Sequence, residues 1–166
     1  MYNPPLVPDG FIVPETLETG RIRLRMLTIQ DAEKDYAAVM ESEQRLKTVF
    51  DPGGDWPTGL TLAQNTIELG WHQTEFRLRT SFAYTVVALD ESAVLGCLYF
   101  YPTRKTGYDV EISMWVRQSQ VAEGLDDHLF ETVRLWVAEI WPFQNPAYPG
   151  RTISFVDWRT LPGSLA

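Results

Sequence analysis

The first regular pattern in the chain is a strict alternation of polar and apolar residues. In the stretch "RIRLRML", the apolar residues Ile22, Leu24 and Met26 alternate with arginines. Successive side chains of a β-strand point to opposite faces of a sheet. The alternation therefore predicts a half-buried strand whose arginines face solvent.

Two helical patterns follow this strand. Thr28 is placed to cap the first helix, and Thr61 is placed to cap a second helix that runs to about Thr80. Prolines and glycines at residues 50–59 predict an irregular loop between them. The second helix has a predicted apolar stripe, formed by Leu60, Ala63, Ile67, Trp71 and Leu78.

Three largely apolar segments then predict three neighbouring strands. They read "FAYTVVAL", "VLGCLYFY" and "DVEISMWV" and occupy residues 82–89, 94–101 and 109–116. Only short turns separate them, which favours antiparallel pairing. An amphipathic helix is predicted from about Leu125 to Ile140, with Pro142 ending it, followed by a short strand at residues 152–155.

This order of elements predicts an α/β (α+β) fold with a mixed, mainly antiparallel sheet flanked by helices. A chain of 166 residues suits one domain with a substantial core. We expect that domain over residues 21–166, preceded by a proline-rich arm over residues 1–20.

Composition and charge narrow the classes of partner. The net charge is −8, from 22 acidic and 14 basic residues, which argues against binding to nucleic acid or anionic membranes. No segment approaches the length of about 18 apolar residues that a membrane span needs. The single cysteine, Cys97, predicts a buried core residue in a cytoplasmic protein. His72 and His128 show no metal-ligand spacing, so no metal site is predicted.

The order of elements resembles the GNAT superfamily of acetyl-CoA-dependent N-acetyltransferases. The supporting stretches are "RIRLRMLTIQDAEKDY", "FAYTVVALDESAVLGCLYFY" and "DVEISMWVRQSQVAEGLDDHLFETVRLWV", and the resemblance covers about residues 21–155. It implies a GNAT-like fold that binds acetyl-CoA. The fourth strand would splay from its neighbour and pair with the pantetheine arm of the coenzyme through the backbone of Met114, Trp115 and Val116. Arg117, directly after this strand, would lie within reach of a phosphate.

The loop after the fourth strand is the implied binding site of the coenzyme pyrophosphate. In the family it reads Arg or Gln, two residues, Gly, one residue, then Gly or Ala, and the best register places Val121, Gly124 and Asp126 at these three positions. Unpaired amides at a helix N-terminus attract anions. The residues that the resemblance assigns to this loop are Val121, Ala122, Gly124, Leu125 and Asp126.

This loop departs from the family pattern at two of the three positions. Val121 offers no phosphate donor, and Asp126 adds negative charge, with Glu123 and Asp127 beside it. Two like charges ~4 Å apart repel by about 1 kcal/mol in water and by up to ~4 kcal/mol near a protein surface. We hypothesise that Asp126 or Asp127 caps the helix with its own carboxylate. An open alternative is that these are ordinary helix-start residues that never face a ligand.

Glu111 is the candidate catalytic residue. Some GNAT enzymes use a Glu of the fourth strand as general base, and Glu111 matches that position by resemblance. Between Val110 and Ile112 it could be partly desolvated, which would raise its pKa toward a value suited to a base. Strand alternation leaves an alternative in which Glu111 faces solvent together with Asp109.

The C-terminal third departs from the family. The family's thiolate-protonating residue, often a Tyr, lies on a helix after the fifth strand. No clear helix is predicted after Phe155, and Tyr148 comes too early in the chain.

Two functions therefore stay open. The first is an N-acetyltransferase that transfers an acetyl group from acetyl-CoA to an amine, either a small molecule or a peptide. The second is a catalytically inactive GNAT-like module that binds a partner or forms a homodimer.

Overall fold

The computed structural model describes residues 3–50 and 53–163, so residues 51 and 52 of the predicted loop and the first and last residues of the chain lie outside the described residues. The secondary structure follows the predicted order, with several short elements added. The strands are β1 (Thr16–Glu18), β2 (Arg23–Met26), β3 (Phe82–Val87), β4 (Val94–Tyr101), β5 (Val110–Val116) and β6 (Pro146–Ala147). The helices are α1 (Ala32–Glu41), α2 (Glu43–Val49), α3 (Leu62–Leu78), α4 (Gln118–Val121), α5 (Leu125–Ile140) and α6 (Phe155–Thr160).

The strands form one six-stranded sheet in the order β1-β2-β3-β4-β5-β6. Among the strands of the described residues, every pair from β1 to β5 is antiparallel, and β6 runs parallel to its neighbour β5. The predicted mixed, mainly antiparallel sheet flanked by helices is therefore confirmed.

Each face of the sheet covers a separate hydrophobic core. One core contains Ile112 and Met114 of β5 together with Leu129 and Val133 of α5. The other contains Trp115 of β5 with residues of α1, α2 and α3. Because successive strand residues alternate between faces, the odd-numbered residues of β5 point toward α1 and α3.

The ends of the long helices match their predicted signals. Thr61 Oγ1 accepts a hydrogen bond from the Gln64 amide at 3.2 Å, and Gln64 Oε1 accepts one from the Thr61 amide at 2.9 Å. This reciprocal pair is a capping box that satisfies two donors at the start of α3. Helix α5 ends at Ile140, before Pro142 as predicted, although Ile140 itself is 51% exposed.

The predicted apolar stripe of α3 is wrong. Ile67 and Trp71 are 61% and 60% exposed, whereas Asn65 and Leu69 form the buried face of the helix. The reason is a buried polar contact: Asn65 Nδ2 donates to Asp35 Oδ2 of α1 at 2.9 Å. This contact sets the rotation of α3, and a count of apolar residues cannot detect it.

The predicted strand at residues 152–155 is also wrong. The strand on the other edge of β5 from β4 is β6, which has two residues and begins with Pro146, and Phe155 starts helix α6 instead. Ser154 caps α6 by accepting a hydrogen bond from the Asp157 amide at 3.1 Å. The expectation of no helix after Phe155 fails because this helix has only six residues, too few to show an apolar period.

The proline-rich segment at the start of the chain packs against the domain. It contributes strand β1, and Val7 is a buried member of the core that faces α5. The Leu6 amide donates to the carbonyl oxygen of Arg79 at 2.7 Å. In the part of the chain that the structure describes, no helix is both long and apolar enough to cross a bilayer.

Candidate active site

Strands β5 and β6 separate soon after they meet. Their pairing is limited to Val110 with Pro146 and Glu111 with Ala147. Beyond this point β5 continues to Val116 with an unpaired edge, and a groove of about 250 Å³ opens beside Ser113 and Met114. The splayed strand that the resemblance implied is therefore present.

Two arginines lie against this open edge. Arg45 of α2 donates from Nη1 to the carbonyl oxygen of Val116 at 2.7 Å. Arg151, which follows β6, donates from Nη2 to the carbonyl oxygen of Met114 at 3.2 Å. Two of the three residues whose backbone the resemblance assigned to a coenzyme arm, Met114 and Val116, thus accept hydrogen bonds from guanidinium groups. The side chain of Trp115 points to the opposite core, where Nε1 donates to the Tyr99 hydroxyl at 3.3 Å.

Asp126 binds both of these arginines. Its Oδ1 accepts from Arg45 Nη2 and from Arg151 Nη2, each at 3.1 Å, and its Oδ2 accepts from Arg151 Nη1 at 3.0 Å. Partial burial acts to raise the pKa of Asp126, but the ion pairs with Arg151 and Arg45 outweigh it and lower that pKa. The carboxylate is therefore held ionised in the groove.

The hypothesis of a self-capped helix fails in its original form. Gly124 is the N-cap of α5, with a φ of 72°, and the Asp126 carboxylate accepts from arginines rather than from helix amides. The first turn of α5 holds Asp126 and Asp127, but among the described residues no side chain caps it. Leu125 is buried in the core, which fixes the start of the helix.

A different carboxylate, that of Glu41, binds the start of the loop. Glu41 Oε1 accepts from the Ser119 amide at 3.0 Å, and Ser42 Oγ accepts from the Gln118 amide at 2.9 Å. Arg117 forms an ion pair with Glu41 and donates to the Val94 carbonyl. The guanidinium of Arg117 is therefore bound to the carboxylate at the C-terminal end of α1. The loop residues Val121, Ala122 and Gly124 are exposed.

Glu111 is half-buried and, by strand alternation, lies on the same face of the sheet as Trp115. It lies opposite Tyr101 in the pairing of β4 and β5. A cavity of about 240 Å³ adjoins it, lined also by Lys105, Phe50 and Phe155. Burial raises the pKa of Glu111, and Lys105 partly opposes this effect. A carboxylate with a raised pKa in a cavity has the properties of a general base.

A third cavity, of about 350 Å³, lies between α1, α3 and β4. Its wall includes the stacked rings of Tyr99 and Tyr101, whose centroids are 5.6 Å apart. Phe50, Trp56 and His72 add further rings. We call this space the aromatic cavity.

Two carboxyl groups and a histidine give the aromatic cavity its chemistry. Burial raises the pKa of Asp35 to about 6, although hydrogen bonds from Asn65 and Cys97 oppose it. Burial also raises the pKa of Glu68 and lowers that of His72. Nδ1 of His72 is buried and has no hydrogen-bond partner among the described residues.

The three cavities are neighbours that share lining residues. Phe155 lines both the groove beside β5 and the cavity at Glu111, and Phe50 lines both that cavity and the aromatic cavity. Glu111 therefore lies between a groove that contains arginines and a pocket that contains carboxylates.

The sequence did not point to several residues of this site. Arg45 and Asp35 lie on helices far in sequence from β5, and Arg151 lies in a segment predicted to lead into a strand. Cys97 is fully buried, as expected, and donates to Asp35 at 3.4 Å. Over residues 3–50 and 53–163, no three His, Cys, Asp or Glu side chains form a group that could hold a metal ion.

Comparisons with known proteins identify the fold. No family model matches the sequence, and no curated protein matches it. Similar solved structures include RimL, a ribosomal L7/L12 alpha-N-protein acetyltransferase, at a TM-score of 0.60 and 16% identity over 80% of this chain and 69% of RimL. The microcin C7 self immunity acetyltransferase MccE, solved with acetyl-CoA and AMP, gives a TM-score of 0.61 and 10% identity over 80% of this chain and 72% of MccE.

A third similar structure has the largest overlap of these three. It is a protein of Bordetella pertussis assigned to the GNAT family of acetyltransferases, with a TM-score of 0.58 and 16% identity over 88% of this chain and 84% of that one. Together with the sheet order and the separation of β5 from β6, these matches show that the chain has the fold of the GNAT superfamily of acetyltransferases.

Proposed function

We propose that this chain is an N-acetyltransferase that uses acetyl-CoA and acts on an amine. The observation that carries the proposal is the position of Glu111, a half-buried carboxylate on β5, at the point where the pairing of β5 with β6 ends. A fold alone does not define an activity, so the proposal rests on this arrangement and on the cavities around it.

The groove beside β5 suits the coenzyme. The open edge of β5 offers backbone hydrogen-bonding groups to an extended chain that carries amides, such as pantetheine. Gly124, Leu125 and Asp126 form the start of α5 at the end of this groove, and two arginines line it. When bound, the coenzyme supplies the acetyl group as a thioester. MccE, one of the structures similar to this chain, was solved with acetyl-CoA.

The aromatic cavity suits the acceptor amine. Aromatic faces and carboxylates attract a substituted ammonium ion, and Glu68 and Asp35 supply the carboxylates here. Glu111 then accepts a proton from the amine nitrogen, because an ammonium ion has no lone pair with which to attack a thioester. RimL is an alpha-N-protein acetyltransferase, which supports a peptide amine as acceptor. A small-molecule amine fits the same chemistry.

The proposal is tested by two measurements on the purified chain. Isothermal titration with acetyl-CoA should give saturable binding, and release of free thiol should depend on an added amine chosen from a panel of peptides and small molecules. Glu111→Gln should retain coenzyme binding and lose thiol release, whereas Glu33→Gln, an exposed residue of α1, should change neither. Absence of binding at millimolar acetyl-CoA would refute the proposal.

The second candidate is a binding module without catalysis. It is favoured by the two arginines that donate hydrogen bonds to the edge of β5 and by Glu41, which accepts a hydrogen bond from the Ser119 amide. In this case side chains of the protein itself take the hydrogen-bonding groups that a coenzyme would use. The same titration separates the two functions, and light scattering tests the homodimer that the sequence suggested.

A further inference from the structure

We propose that Arg45 and Arg151 form an anion site for the diphosphate of the coenzyme, and that Asp126 occupies this site until the diphosphate displaces it. The proposal extends the proposed function and identifies two binding residues that neither the sequence motif nor the fold assigned. It concerns three side chains that meet in the groove beside β5.

The first observation is that the carboxylate of Asp126 forms ion pairs with both arginines. Arg151 comes from the segment after β6 and Arg45 from α2, so the pair spans the two walls of the groove. Arginine presents a planar fork of donors that matches carboxylates and phosphates equally well. A ligand phosphate can therefore take over the donors that Asp126 now uses.

The second observation is the charge in the cluster. Two guanidinium groups face one carboxylate, which leaves one positive charge in a groove that is only partly exposed: the side chains of Arg45, Arg151 and Asp126 are 22%, 19% and 23% exposed. A diphosphate carries more negative charge than one carboxylate and has more acceptor oxygens. The exchange would neutralise the cluster more completely than Asp126 does.

The third observation is that the arginines also cover the edge of β5. Each donates a hydrogen bond to a carbonyl of that edge, at Val116 and at Met114. An extended chain can pair with β5 only when these guanidinium groups move. Anchoring the arginines on a diphosphate at the mouth of the groove would expose the edge, so one movement would prepare both parts of the coenzyme site.

Arg151 is held in place by more than its ion pair. Its guanidinium lies 5.1 Å from the centre of the Phe130 ring on α5. This contact keeps the charge close to the groove when Asp126 is displaced. Asp126 thus acts as a competitor of the ligand, and its removal should strengthen binding rather than weaken it.

The experiment compares Asp126→Asn with Asp127→Asn. Both variants remove one negative charge from the first turn of α5, but only Asp126 binds the arginines. Titration with inorganic pyrophosphate and with coenzyme A should show at least tenfold tighter binding to Asp126→Asn than to the native chain. For Asp127→Asn we expect less than a threefold change. Pantetheine, which lacks the diphosphate, should bind both variants alike.

A second pair of variants keeps the test independent of the stability of Asp126→Asn. Arg45→Met and Arg151→Met should each weaken pyrophosphate and coenzyme A binding by at least tenfold, with circular dichroism confirming the fold. Equal effects of the two Asp→Asn variants, or unchanged binding in the Arg→Met variants, would overturn the proposal. If the coenzyme binds tightly and none of these substitutions changes its affinity, the anion site is refuted but the acetyltransferase function is not. Pyrophosphate binding without any thiol release would support the anion site and count against that function.

Discussion

The carboxylate of Glu41 accepts a hydrogen bond from the backbone amide of Ser119 at 3.0 Å, across 78 residues of sequence. The same carboxylate forms an ion pair with Arg117. Hydrogen bonds from these groups lower the pKa of Glu41 against the opposing effect of burial, which is the largest single effect on it. The C-terminal end of α1 thereby fixes the short helix α4 that follows β5.

Removal of this carboxylate should loosen α4 without unfolding the domain. In Glu41→Ala we expect amide hydrogen exchange at Ser119 to accelerate by roughly tenfold, because a hydrogen bond to a charged acceptor is lost. Glu43→Ala is the control, since Glu43 pairs with Lys47 within α2. Equal exchange rates at Ser119 in the two variants would contradict the assigned role of Glu41.

If Glu111 is the general base, its ionisation should determine the pH dependence of the reaction. A base must be ionised, and burial raises the pKa of Glu111, so kcat/KM should fall as the pH drops through a value above the ordinary Glu pKa. Glu111→Gln should lower kcat by roughly a hundredfold or more and remove this acid limb. The measurement is a pH–rate profile of thiol release with a fixed amine.

Lys105 provides an internal check on that assignment. Its charge lowers the pKa of Glu111, so Lys105→Met should move the acid limb of the profile to higher pH. An acid limb that stays in place in Lys105→Met would indicate that another group is the base.

The sheet could be predicted because its signals are local. The segment "VLGCLYFY" became β4 from Val94 to Tyr101, and Pro142 lies just past the end of α5. The buried face of α3 could not be predicted, because the polar residue Asn65 turns inward to reach Asp35 while Trp71 turns outward. β6 has two residues, too short for any period.

The candidate site could be predicted only where its residues share one strand. The family resemblance assigned Glu111, Met114 and Val116, which all lie on β5. The arginines that meet Asp126 come from positions 81 and 25 residues away, and no spacing rule links residues that fold together from separate elements. Charge alone indicated that Asp126 was unusual in its loop, but it did not reveal that the partners of Asp126 are side chains.

Gly96 should be intolerant of any side chain. A Cβ at this position would lie 2.0 Å from the carbonyl oxygen of Trp115 and 3.0 Å from Val116 Cα, both backbone atoms of the paired strand β5. Gly96→Ala should lower the free energy of unfolding by roughly 1–3 kcal/mol, because the two strands must move apart. At about 2–4 °C per kcal/mol, this loss is visible in a thermal melt. Gly20→Ala, where nothing lies within 4 Å of the added carbon, should melt near the native temperature.

Asp35 should make the stability of the protein fall as the pH rises from about 4 to 6. Its pKa in the folded protein is about 6, against 3.8 ordinarily, so over this range the folded protein binds more protons than the unfolded chain. The contribution of Asp35 to the free energy of unfolding is therefore highest at low pH, where Asp35 is protonated in both states. It decreases as the pH rises toward the pKa of Asp35 in the folded protein. At neutral pH the cost of ionising this buried carboxyl is about 3 kcal/mol.

Asp35→Asn removes that cost while keeping an acceptor for Asn65. Relative to the native chain, the variant should gain about 1–2 kcal/mol of unfolding free energy between pH 5 and pH 7.5, measured by urea denaturation at both pH values. Glu33→Gln, on the exposed side of the same helix, controls for the loss of one charge. If the two variants show the same dependence on pH, ionisation of Asp35 does not control stability in this range.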